Sequence, residues 1–116
     1  MGLNIVANRR LSLNDFAEGW TNCYLLVRGV NEARRQELLA KLDDANDEQA
    51  NQLMEALCLE LIVGGSVITT EDDGSTRPVD ITRENVADVV AALNVAWRQE
   101  VISVATGTNR LKVPLR

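Results

Sequence analysis

The chain has 116 residues, 46% hydrophobic and 25% charged, with a formal net charge of -5, no histidine and two cysteines. That length and balance fit one globular domain with a single core and exclude wholesale disorder. The acidity and the scarcity of aromatics argue against nucleic acid as a partner, since that affinity comes from Lys and Arg neutralising phosphates and from bases stacking on rings.

Residues 1–10 show no period and end in Arg9-Arg10, which reads as a flexible N-terminal arm. From Leu11 the text changes. Leu11-Ser12-Leu13, and then Trp20 to Val30, are rich in aliphatic, β-branched and aromatic residues between turn formers, the signature of one or two short strands. Asn31 can cap a helix carrying Glu32 in its first turn, with Leu38, Leu39 and Leu42 as a narrow apolar face. Asp43-Asp44-Ala45-Asn46-Asp47 interrupts the pattern. Asn46 or Asp47 then caps a second helix, with Ala50, Leu53, Met54, Leu57 and Leu61 at helical spacing, expected to stop at Gly64-Gly65.

Val67 to Thr70 is a short β-prone run, and Asp73-Gly74 is a turn pair. Pro78 holds the next residues extended. Thr82 is the expected cap of the principal helix, with Ile81 and Val86 as its hydrophobic staple. Val86, Val89, Val90, Leu93, Trp97, Val101 and Val104 fall on one stripe, so this helix is expected to stop at Gly107, with an extended Val101-Ile102-Ser103-Val104 as the alternative for its last part. Ala91, Val95 and Ile102 lie nearly opposite and form a second apolar stripe. The last residues carry Arg110, Lys112 and Arg116 with no acid, and Leu111, Val113 and Leu115 alternate among them.

The expectation is therefore a mainly α protein with a short β segment (α+β): a small domain of about three helices with an N-terminal β-hairpin or strand pair. Residues 1–10 are the arm, 11–107 a single globular domain and 108–116 a basic tail. No apolar run approaches the ~18 residues of a membrane span, and the start has no signal-peptide core. Cys23 and Cys58 sit far apart among apolar neighbours and read as buried thiols in a reducing, intracellular setting.

Chemistry is thinly represented. Without histidine the common nucleophile–base–acid arrangements are unavailable, and no phosphate-binding glycine motif occurs. Asp44, Asn46, Glu48 and Glu55 approach a calcium-loop spacing, but Gln49 stands where the loop's turn needs glycine. Glu71, Asp72 and Asp73 are consecutive and point in different directions. Both groups read as solvated turns, so no catalytic residue, metal or cofactor is expected. Trp20 and Trp97 read as core ahead of binding anchors. The interaction candidates are the second stripe, Ala91, Val95 and Ile102, and the tail residues Arg110, Leu111, Val113 and Leu115.

The order of features resembles the tail assembly chaperones of long-tailed bacteriophages. Trp20 through Val27-Arg28 leads into the charged helix beginning Asn31-Glu32-Ala33-Arg34-Arg35, and a leucine-rich helix follows. Leu61-Ile62-Val63, Asp72-Asp73-Gly74, Arg77-Pro78, Ile81-Thr82 and Glu84 resemble the family's aliphatic, acidic, Gly, Pro, Thr, Glu stretch. A final amphipathic helix closes the pattern, and the likeness spans roughly Leu11 to Ala105. The resemblance implies a non-enzymatic protein that binds the tape measure protein and keeps its long helices soluble until tail tube subunits polymerise around them. It further implies the tail tube protein as a second partner, self-association, a bacterial host cytoplasm and absence from the mature virion. Two other readings are a structural head–tail connector or tail-completion subunit, and an acidic divalent-metal-binding protein.

Overall fold

The computed structural model describes residues 7–107. They form four strands, β1 (Asn8–Ser12), β2 (Tyr24–Arg28), β3 (Ile62–Thr70) and β4 (Thr76–Asp80), and four helices, α1 (Glu32–Asp44), α2 (Asp47–Leu61), α3 (Val86–Ala92) and α4 (Val95–Thr106). The strands pair in sequence order, β1-β2-β3-β4, as one antiparallel sheet. The expected architecture of three helices with a strand pair is thus corrected to an α+β fold with a four-stranded sheet and four helices.

The correction has three physical sources. Arg9 and Arg10, which the sequence assigns to a loose arm, lie in β1, paired with Val27 and Leu26. Gly64 and Gly65, expected to stop a helix, lie inside β3, where they pair with Leu26 and Leu25 beside a bulge at Val63. Gly65 has φ +135, and a Cβ there would overlap the Tyr24 carbonyl oxygen, so only glycine lets the two strands approach. The third source is β4. Pro78 lacks an N–H and pairs with Ile68 on an edge strand, the position in a sheet that tolerates it.

Local chemistry sets the helix ends. The Asn31 carboxamide accepts from the Arg34 N–H at 2.9 Å, and Asn46 forms a reciprocal capping box with Gln49, at 2.8 and 3.1 Å. The expected single C-terminal helix is broken at Leu93-Asn94. Asn94 turns extended and its side chain caps Trp97, starting α4 anew. Thr82 belongs to a turn ahead of α3: its N–H donates to the Asn85 carboxamide at 2.8 Å, and helix begins only at Val86. The Asn94 side chain satisfies the Trp97 N–H that this new helix start would otherwise leave without a partner.

One sheet face is covered and the other is open. Leu13, Leu25, Val27 and Ile62 are buried together with Met54, Leu57, Cys58 and Leu61 of α2, Val90 of α3, and Val101, Ile102 and Ala105 of α4. On the opposite face the Arg10 guanidinium lies 3.8 Å over the Tyr24 ring.

Candidate functional site

An apolar concavity of about 470 Å³ lies between α3 and the β3–β4 hairpin. Val67, Thr69 and Val79 of the hairpin form one wall, Val89, Ala92 and Leu93 the other, and Leu13, Phe16 and Trp20 close the end. Three features position it. The hairpin turn is fixed by the Glu71 N–H donating to the Ser75 carbonyl at 2.7 Å and by Gly74 at φ +88. Asp73 accepts from the Ser75 N–H at 2.9 Å and its hydroxyl at 2.6 Å, which holds its carboxyl below the usual Asp range. Asn85 anchors the start of α3 by donating to the Asp80 carbonyl at 2.9 Å.

The aromatic end is built from loop and helix together. Phe16 packs at a tilt between Trp20, with centroids 4.6 Å apart, and Trp97, at 5.7 Å. All three are half-buried. Sequence reading singled out the two tryptophans and missed Phe16. The available signal was composition, since a chain with four aromatic residues has no other ring to fill this end. Arg77 and Asp88 sit on the rim, and Arg77 is held by an ion pair with Glu71.

The expected interaction residues are not brought together as one face. Ala91 is exposed near the end of α3 and Val95, 44% exposed, opens α4, but Ile102 is 5% exposed and turned into the core. The break at Leu93-Asn94 changes the helical phase on which the stripe depended. Arg110, Leu111, Val113 and Leu115 lie outside the described residues.

Several members of the two acidic groups are occupied in turns and pairs. Asn46 is committed to capping α2, Glu55 lies 3.6 Å from Arg98, and Glu71 holds Arg77. Among the described residues, no group of three or more His, Cys, Asp or Glu side chains could hold a metal ion. Cys58 is fully buried, and burial pushes its thiol up to about 12; Cys23 is buried and shifted in the same direction. Both are therefore protonated packing residues at neutral pH. What the groove offers chemically is a mostly apolar lining with Arg77, Asn85 and Asp88 among its polar members.

Among the described residues no helix is long and apolar enough to cross a membrane. No protein-family model, curated protein or solved structure shows a significant match to the chain.

Proposed function

We propose that this protein is a non-enzymatic tail assembly chaperone of a long-tailed phage, binding the tape measure protein and keeping it soluble during tail tube assembly. The observation that supports it most is the open apolar groove ending in Phe16 and Trp20, on a body of net charge -5. A chaperone for an aggregation-prone helix needs apolar contact that can be released, and a charged exterior that keeps the complex dispersed. Burying two aliphatic side chains of a partner helix in such a groove contributes roughly 3–6 kcal/mol before ordering costs, which suits reversible binding. The tail tube protein as second partner, self-association, action in the host cytoplasm and absence from the finished virion belong to the same proposal.

Co-expression with a helical fragment of the tape measure protein tests it. The intact chain should raise the soluble yield of the fragment and co-elute with it. Trp20→Ala and Val89→Asp should each weaken the complex by about tenfold or more, as expected for anchors in a groove. Urea titration of each variant separates lost binding from lost fold. A fragment that gains no solubility and does not co-elute with the intact chain sinks the proposal.

A further inference from the structure

A second cleft, of about 410 Å³, lies where the end of α2, the start of β3 and the turn ahead of α3 meet, and it shares no lining residue with the groove above. We propose that this cleft docks an acidic, aliphatic segment of another protein, a stretch in which leucine-like side chains stand beside carboxylates. The inference stands independently of the tail-assembly reading.

The floor is apolar and open. Among the described residues three large hydrophobic side chains are exposed, and two of them, Leu59 at 40% and Val63 at 48%, line this cleft together with the half-buried Val86. An exposed leucine standing alone is ordinary, whereas apolar neighbours sharing one concavity mark a contact surface. Each exposure has a local cause. Helix α2 turns Met54, Leu57, Cys58 and Leu61 into the core, which leaves Leu59 on its outer side. Val63 is passed over where β2 pairs Val27 with Ile62 and Leu26 with Gly64, and the bulge turns it outward.

Charge selects the occupant. Arg9, Arg34, Arg35, Arg77 and Arg98 each have a carbonyl or carboxylate partner, and Arg10 lies over Tyr24. Arg28 and Arg83 are the arginines left without a partner among the described residues, and both line this cleft. Glu60, the acid in the lining, lies 3.4 Å from Arg34, outside the cleft. Two free cations beside an apolar floor match a few carboxylates set among aliphatic side chains. The body's net charge of -5 repels a polyanion such as nucleic acid or an anionic lipid surface.

The test uses arrays of short peptides that combine leucine or isoleucine with aspartate and glutamate, beside matched arrays with asparagine and glutamine, or with lysine, at the acidic positions. The labelled intact chain should bind the acidic array most strongly, and more weakly as salt is raised. Arg28→Glu and Arg83→Glu should each weaken that binding about fivefold, as expected for partly exposed ion pairs, and Val63→Asp about tenfold. Val95→Asp, at the third exposed hydrophobic, should leave it unchanged. All four substitutions change exposed side chains, and urea unfolding of each variant checks the fold. No preference for the acidic array, unchanged binding in any of the three cleft variants, or an equal loss in Val95→Asp would each overturn the proposal. So would association of the chain with itself that the arginine reversals abolish, since a second copy would then be the occupant.

Discussion

Arg9 donates from Nη1 to the Val104 carbonyl at 2.9 Å, joining the first described strand to the last turn of the last helix across 95 positions of sequence. Arg35 of α1 does the same for the Thr106 carbonyl at 3.1 Å. No basic residue lies in the last turn of α4 itself, so two arginines from elsewhere in the fold satisfy its carbonyls and oppose its dipole. Arg9→Ala should lower stability by about 1–2 kcal/mol in urea unfolding, the worth of a charged, partly buried hydrogen bond. Arg9→Lys should recover only part of that loss, since an ammonium cannot reproduce the guanidinium's reach and fork geometry. An alanine variant as stable as the parent would show that water replaces the arginine at no cost.

The two adjacent glycines of β3 should respond oppositely to alanine. At Gly65 the added Cβ meets the Tyr24 carbonyl oxygen and the backbone sits at φ +135, so Gly65→Ala should cost about 3 kcal/mol or more. At Gly64 the same Cβ meets only Leu26, at 3.6 Å, and the change should stay within about 0.5 kcal/mol. Thermal melts of the two variants side by side give the comparison. Equal losses would place the bulge elsewhere in the strand.

Arg98 links three helices. Its Nη2 donates to the Val90 carbonyl at 2.9 Å, closing α3, and its Nη1 lies 3.6 Å from Glu55 of α2. Its side chain is 16% exposed and its Nε is buried without a hydrogen-bond partner. Arg98→Ala removes the carbonyl's donor and the packed stem together, and should cost about 2–3 kcal/mol. Arg98→Met keeps the stem and removes the unsatisfied Nε, so its cost should be near 1 kcal/mol. Chemical denaturation of both variants decides; a methionine variant as damaged as alanine would refute the packing argument.

Cys58 supplies a test in pH and in reactivity. Its thiol is pushed up to about 12 by burial, whereas an unfolded thiol ionises near its ordinary value of about 8.5. Above that ordinary value the unfolded chain sheds a proton that the folded chain keeps, so stability should fall as pH rises through the alkaline range; below it this group is silent. Cys58→Ala should flatten the alkaline slope. In native buffer at pH 8 both buried cysteines should react with an aromatic disulfide reagent only as fast as the fold opens. Rapid labelling under native conditions would contradict the burial.

Asp73 titrates at the opposite end. Its carboxyl is lowered chiefly by the Ser75 hydrogen bonds, so its contribution is present above the ordinary Asp range and is lost as pH falls through the depressed folded value. In Ser75→Ala the hydroxyl contact is gone and the Asp73 carbon resonance should titrate closer to the ordinary value. No change in its midpoint would mean that the backbone contact alone sets it.

What the sequence determined by itself is the chemistry that acts over three or four residues. Asn31 caps the helix it was expected to cap, Asn46 takes the cap expected of it or of Asp47, and Asp73-Gly74 makes the turn, because a side chain and a backbone N–H two or three positions away need no other partner. The same local logic holds at Asn94, but it was not read from the sequence, where a seven-residue apolar period runs across the break between two helices. Everything that depends on a distant neighbour was decided by tertiary structure alone. Arg9-Arg10 become strand because β2 offers them a ladder, Gly65 is required by the carbonyl of Tyr24, and β4 exists because β3 has a free edge. The groove follows the same rule: Phe16, Trp20 and Trp97 meet only after the loop folds onto α4, a contact with no period in the sequence to announce it.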